Sequence, residues 1–166
     1  DSVYKSDAPK CDNEIFNLGI PVLGICYGMQ LMSYMLGGEV LSASVKEFGE
    51  ILVDLEDNPL FRNLEKQNIC LMSHSDYVNK LPTGFTKIAS TKNCLYAGIA
   101  NFTKNLYGLQ FHPEVTLTNN GNKIIDNFLT LVCKCSKTWK IDYFMEQKIK
   151  ELRDKIGNKK VLCALS

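Results

Sequence analysis

The sequence predicts an α/β protein, an open, mostly parallel sheet with flanking helices. Three observations carry that expectation. The apolar run at 21–25, Pro-Val-Leu-Gly-Ile, reads as a short strand buried on both faces. At Cys26 the period changes, and Met29, Leu31, Met32, Met35 and Leu36 can cover one broad helical face. Near the C-terminus, Ile124, Ile125, Phe128, Leu129 and Val132 keep helical spacing, as do Ile141, Phe144, Met145, Ile149, Leu152 and Ile156.

The remaining elements follow in order. Gly37-Gly38 has the chemistry of a helix C-cap. Residues 39–41, 51–53 and 69–72 have β character. Asn58-Pro59 starts a short helical turn, and Leu81-Pro82-Thr83-Gly84 is a loop. Strands at 95–100 and 106–111, joined by the polar connection 101–105, predict a hairpin. Gly157-Asn158 stops the last helix, and 159–165 begins a new buried strand with only Ser166 beyond it. A strand needs partners, so this ending predicts a further domain cut short. The expected divisions are a first domain at 1–135, a linker helix at 136–158 and the start of another domain at 159–166.

Composition narrows the function classes. The 166 residues are 45% apolar and 22% charged, the balance of a soluble globular protein. Nineteen basic residues against 18 acidic ones leave a net charge of +1 with no basic patch or acidic run. Nucleic acid and anionic membranes are therefore poor partners, and a small zwitterionic substrate fits. The stretch 15–38 carries no charge, but it contains Asn17, Pro21, Gln30 and five glycines and divides at Cys26, which argues against a membrane span. Seven cysteines at irregular spacing, behind a polar N-terminus, argue against a disulfide framework and for the reducing cytoplasm. No metal site is expected, because Cys133-Lys134-Cys135 is the one close pair and both histidines are remote from it in sequence.

The densest chemical signal is Gly24-Ile25-Cys26-Tyr27-Gly28-Met29-Gln30, a G-x-C-x-G pattern at a strand-to-helix junction. A sharp turn there lifts the nucleophile above the sheet, and flanking glycines allow close backbone approach. The following helix points its N-terminus at the sulfur, which favours thiolate. The Tyr27 N–H is placed to hold an oxyanion. The other six cysteines read as structural.

The base is a choice between two histidines, each with a carboxylate two residues on: His74-Ser75-Asp76 and His112-Pro113-Glu114. Residues i and i+2 share a face only where the backbone is extended. Pro113 pushes His112 toward extended geometry, so Glu114 can orient the His112 imidazole as the third member of a triad. The segment 73–76 reads as a turn, either a satisfied loop histidine or a pocket wall.

Those motifs carry a resemblance. Val-Leu-Gly-Ile-Cys-Tyr-Gly-Met-Gln at 22–30, Met-Ser-His-Ser-Asp at 72–76 and Tyr-Gly-Leu-Gln-Phe-His-Pro-Glu-Val at 107–115 resemble class I glutamine amidotransferases. The Tyr-Gly-Met-Gln form, Met-Ser-His-x-Asp and Cys133-x-Cys135-x-x-x-Trp139 are most similar to the GMP synthetase family. The resemblance covers nearly the whole chain. It implies a flavodoxin-like amidotransferase fold and hydrolysis of glutamine through a thioester on Cys26, with His112 as general base and Glu114 orienting it. Gln30, His74, Ser75 and Asp76 would contact substrate. The implied partner is an ATP-pyrophosphatase domain of the same parent chain. It takes the ammonia to aminate xanthosine monophosphate to GMP, and Ser166 matches the start of its pyrophosphate loop. No cofactor is implied for the glutaminase portion, while ATP and Mg serve the full-length synthetase. A homo-oligomer would form through parts not present here.

Two departures from the family pattern bear on these expectations. The Gly-Gly-Pro segment that supplies a second oxyanion amide, with the first strands of the sheet, would precede Asp1, so the 166 residues alone are expected to turn over little glutamine. Ser75 stands where family members often have Gly. Rival readings are a glutaminase serving carbamoyl phosphate, CTP or anthranilate synthesis, a noncatalytic regulatory module, or a cysteine peptidase of similar fold. The tail at 160–166 argues against the first, the filled triad positions against the second, and Gln30 with His-Pro-Glu favours glutamine over the third.

Overall fold

The buried run at 21–25 does form a strand, β1 (Val22–Ile25), and the period change at Cys26 marks the start of helix α1 (Tyr27–Met35). In the computed structural model, which describes residues 2–138 and 141–163, these lead into β2 (Glu39–Leu55), β3 (Gln67–Lys80), β4 (Thr86–Ser90), β5 (Gly98–Asn101), β6 (Leu106–Leu109), α2 (Gly121–Asn127) and α3 (Ile141–Ile156). Single helical turns lie at Asn13–Asn17 and Pro59–Phe61, and a π-helical turn at Phe128–Val132. The chain divides into two compact units, Asp1–Cys135 and Ser136–Ser166.

The class is α/β, but the described sheet is mixed where the sequence suggested mostly parallel strands. Its order is β1-β6-β5-β4-β2-β3. Only β1 and β6 run parallel, with Val22 opposite Leu106 and Ile25 opposite Leu109. The other four pairings are antiparallel. Connection length explains the difference, since short loops can join only antiparallel neighbours and a parallel pair needs a long crossover. The strand that suggested a parallel sheet, Val22–Ile25, is real but only partly buried, and short connections join the fully buried β5 and β6 to each other and β5 to β4.

The expected pieces at 39–41 and 51–53 are parts of one strand, β2. Most of its polar residues face outward, with Glu47 the buried exception. The expected turn at 73–76 lies inside β3. Burial alternates through Asn68, Cys70, Met72, His74, Asp76 and Val78, so the period of two runs unbroken across the polar residues. The β2–β3 register breaks between the pairs Ser42–Asp76 and Glu47–His74, leaving 43–46 bulged out. β4 went unpredicted because Ile88 and Ala89 are its only apolar residues. β5 and β6 form the expected hairpin in shorter form.

Side chains alternate from one face of the sheet to the other. Met29, Met32, Val40, Val78, Ile99 and Leu106 pack with α1, while Met72, Ile88, Tyr107, Leu109, Phe111 and Ile124 form a second cluster. Gly37 takes φ +87°, and the Gly38 N–H bonds the Ser33 carbonyl, closing α1. Gly24 has a different task. A Cβ there would lie 2.7 Å from the Gly28 carbonyl carbon and oxygen and 2.8 Å from the Met29 nitrogen, all backbone. Gly24→Ala must therefore push α1 off β1, and a loss of about 1–3 kcal/mol is expected, read as a lower denaturant midpoint. An unchanged midpoint would show that the junction yields at no cost.

In the second unit, α3 spans the expected helix. Asp142 sits in its first turn and Arg153 and Lys155 in its last, each favoured by the helix dipole. Gly157 follows at φ +53°. The strand expected at 159–165 is not formed over 159–163, where no partner strand pairs with it; the rest of that segment, with Ser166 and Trp139, lies outside the described residues. Among the described residues no helix is long and apolar enough to cross a membrane.

Candidate active site

Cys26 occupies the junction between β1 and α1 with φ +50° and ψ −105°, a conformation that costs a non-glycine residue on the order of 1–3 kcal/mol. Its N–H is held by the Leu109 carbonyl at 2.7 Å, so β6 clamps the elbow. The Gln30 N–H bonds the Cys26 carbonyl, the first bond of the helix. Of the two flanking glycines, Gly24 is required by contact, while a Cβ at Gly28 would meet open space.

The sulfur lies between two polar partners. Gln110 Nε2 donates to Sγ at 3.6 Å, and the thiol donates to the Ser73 carbonyl at 3.8 Å. Burial raises the Cys26 pKa above its ordinary value. The Tyr27 backbone N–H and the Gln110 amide pull it down, and the Glu114 charge pushes it up. This corrects the expectation of a thiolate-favouring elbow. The free site holds a protonated thiol because loss of hydration outweighs the favourable N–H groups. Such a thiol needs a base.

The two histidines meet different fates. His112 Nδ1 lies 2.7 Å from Glu114 Oε1, with the side chains 24% and 45% exposed. The Leu71 carbonyl accepts from the His112 N–H, and the Thr118 hydroxyl donates to the His112 carbonyl at 2.6 Å while accepting from the Leu71 N–H. Gly121, at the start of α2, lies so close beneath that a Cβ would fall on the Pro113 carbonyl oxygen. The Nδ1–Glu114 bond fixes the tautomer and leaves Nε2 for chemistry.

His74 is instead 2% exposed at its side chain. Its Nδ1 bonds the backbone carbonyl of Asp76 at 2.9 Å, and its Nε2 lies 3.2 Å from Glu47 Oε2. The Asp76 carboxylate accepts instead from the Tyr4 hydroxyl at 3.5 Å. Both ring nitrogens of His74 are thus engaged inside the protein.

Glu47, His74 and Cys94 bring three metal-capable atoms within 4.8 Å of one another. Burial, and then the Glu47 charge, push the Cys94 thiol up to about 12, and Thr91 and Asn93 also donate to Glu47. This is a hydrogen-bonded cluster with a protonated thiol, a weak ligand set. Cys70 is likewise pushed up to about 11 by burial, in keeping with a structural role.

A cavity of about 190 Å³ opens beside the thiol, lined by Cys26, Tyr27, Gln30, Ser73, His74, Ser75 and Asp76. The elbow and the 73–76 segment, far apart in sequence, therefore share one pocket. Gln30 is 4% exposed and donates through Nε2 to the Asp76 carbonyl at 2.8 Å and to Gln110 Oε1 at 3.0 Å. Sequence reasoning missed Gln110, Thr118 and Glu47. Gln110 was within reach, because it lies two residues before His112 on an extended run and so shares its face. Nothing in the local sequence marks Glu47, which depends on the β2 bulge.

A cysteine at a strand–helix elbow, a His112–Glu114 pair just beyond the neighbouring strand β6 and a small polar cavity beside the thiol are the features of a cysteine-based amidotransferase fold. The chain belongs to the class-I glutamine amidotransferases, whose family model matches residues 1–132. It is 54% identical over 99% of its length to a glutamine-hydrolyzing GMP synthase of Acetivibrio thermocellus and 50% identical to one of Clostridium botulinum. It covers 32% of each, so it spans about a third of the length of these curated relatives. Among solved structures, a candidate GMP synthase component from Thermoplasma acidophilum superposes with a TM-score of 0.68 at 32% identity, over 81% of this chain and 64% of that one. A glutamine amidotransferase from Thermotoga maritima gives 0.58 at 26% identity, over 84% and 53%.

Proposed function

We propose that this chain is the glutaminase portion of a GMP synthetase, hydrolysing glutamine at Cys26 to supply ammonia for amination of xanthosine monophosphate. The observation that carries the reading is a strained elbow thiol beside a polar cavity walled by the 73–76 segment, together with a His112 ring oriented by Glu114, whose charge is felt at the thiol. In the first half-reaction His112 Nε2 takes the thiol proton as Sγ attacks the side-chain amide carbon of glutamine. The Tyr27 N–H, which faces the sulfur, stabilises the oxyanion. Collapse of that intermediate breaks the C–N bond, His112 returns its proton to the leaving nitrogen, and ammonia departs from a thioester. In the second half His112 deprotonates a water that attacks the thioester, releasing glutamate and restoring the thiol.

Glutamine would be held by the backbone and hydroxyl groups of the 73–76 segment. Gln30 and His74 shape that wall from behind, since the hydrogen bonds of both turn inward. The synthetase chemistry, with its ATP and Mg, belongs to the part of the relatives this chain does not span. The domain division at 135, with α3 as a linker toward the synthetase, and a cytoplasmic location belong to the same reading.

A glutamine-mimicking diazo-ketone tests the assignment. A single adduct on Cys26, suppressed by glutamine and absent in Cys26→Ala, is expected by intact mass and peptide mapping. An adduct on another cysteine, or one that glutamine does not suppress, would overturn it.

A further inference from the structure

We propose that Gln110 is a positioning residue for the nucleophile, oriented by a buried hydrogen-bond chain that starts at the Glu47–His74 pair and runs through the Asp76 carbonyl and Gln30. The inference rests on the glutaminase reading only for what Cys26 does, not for how its sulfur is held.

The direction of the chain follows from one fixed acceptor. The Asp76 backbone carbonyl can only accept, and it faces two side chains, His74 Nδ1 at 2.9 Å and Gln30 Nε2 at 2.8 Å. His74 Nδ1 must therefore carry a proton. The Gln30 atom facing Asp76 must be the NH₂ group, although amide nitrogen and oxygen are alike in shape. The second N–H of that group points at Gln110 3.0 Å away, so the Gln110 atom facing it must be Oε1. That leaves the Gln110 NH₂ toward Cys26 Sγ at 3.6 Å. Each amide is set by its neighbour, and no member can flip alone without opposing two donors or two acceptors.

Burial makes the arrangement stiff. Glu47, His74, Gln30, Asp76 and Gln110 are 3%, 4%, 4%, 6% and 0% exposed, so water cannot replace a lost partner. The β2–β3 bulge supplies the anchor. The register breaks between Ser42–Asp76 and Glu47–His74, and Glu47 reaches the His74 ring on the buried face. Thr91 donates to the other Glu47 oxygen at 2.7 Å.

At the far end the bond discriminates between states of the sulfur. An N–H donor favours thiolate over thiol, whereas the Ser73 carbonyl accepts only from the thiol. Gln110 thus holds Sγ in place after its proton has gone to His112. The titratable groups around Cys26 are Glu114, from the segment after β6, and His74 and Asp76, which line its cavity from β3. Glu114 pushes the thiol up, and Gln110 opposes it.

The test follows alkylation of Cys26 by iodoacetamide against pH in the full-length chain, comparing Gln110→Leu and Gln110→Glu with the parent. Leucine removes the donor. Glutamate keeps the shape and the acceptor for Gln30 but turns an oxygen to the sulfur. Both are expected to move the alkylation midpoint to higher pH, glutamate further, by roughly one unit, a tenfold change in the thiol equilibrium. Glutamine turnover should fall in kcat more than KM rises, because Gln110 touches the sulfur directly and the cavity wall only through Gln30. Unmoved midpoints with a lowered Tm would make Gln110 a core residue only and overturn the proposal. Should the leucine variant not fold, the near-isosteric glutamate variant decides alone. Iodoacetamide needs no glutamine site, so a shifted midpoint beside failed diazo-ketone labelling would sink the glutaminase reading and leave this inference standing.

Discussion

Replacing His112 with asparagine is expected to lower glutamine hydrolysis by on the order of ten-thousandfold to a millionfold, as removing Cys26 should, because nucleophile and base act as a unit. The Cys26 thiol is held above its ordinary pKa by burial, so little thiolate forms without proton transfer. Stability should hardly move. His112 is a quarter exposed at its side chain, and the bonds anchoring it run through backbone atoms to Leu71 and Thr118. Glu114→Gln should cost less than His112→Asn, since solvent reaches the 45%-exposed carboxylate and can replace part of its role. The measurement is glutamate release paired with thermal unfolding for each variant. Substantial turnover by His112→Asn, with its loss in His74→Asn, would mean that the wrong histidine carries the chemistry.

The chemistry was legible because its residues announce themselves locally. The elbow needs a glycine-flanked cysteine between a strand and a helix, and His-Pro-Glu needs only an extended residue before proline; both are contiguous patterns. What failed is non-local. The turn expected at 73–76 is strand, because the sequence there looks polar while its alternate residues are buried against partners supplied by β2. Glu47 lies in a polar run and becomes a buried carboxylate only because the bulge at 43–46 carries it beneath His74. The sheet was judged mostly parallel from apolar strands such as 21–25, and apolarity does not encode direction; the four antiparallel pairings depend on which strands become neighbours, with short connections fixing β4–β5 and β5–β6. The sign at Cys26 failed for a similar reason. A helix N-terminus is visible in sequence, whereas the loss of hydration that outweighs it depends on β3 and β6 closing around the sulfur.

Glu47→Ala is expected to destabilise the first unit by about 3–5 kcal/mol, because it leaves buried partners without the carboxylate they share. Glu47 lies 3.2 Å from His74 Nε2 and accepts from Thr91 Oγ1 at 2.7 Å and Asn93 Nδ2 at 3.5 Å, and the side chains of Glu47 and His74 are both 2% exposed. At that depth solvent cannot substitute, and the small alanine adds a cavity to the unmet donors. Glu47→Gln keeps the volume and one acceptor oxygen, so it should lose only about 1–3 kcal/mol. The double change Glu47→Leu with His74→Leu removes donor and acceptor together and should cost less than the sum of its parts, since neither side chain is left unmet. Denaturant unfolding of these variants beside the parent measures this order directly. If Glu47→Ala costs less than about 1 kcal/mol, the pair is not shielded from water, and the chain that fixes Asp76, Gln30 and Gln110 has no rigid origin. If the order holds, a carboxylate with no catalytic contact of its own sets the orientation of the amide at the nucleophile through a relay of buried hydrogen bonds.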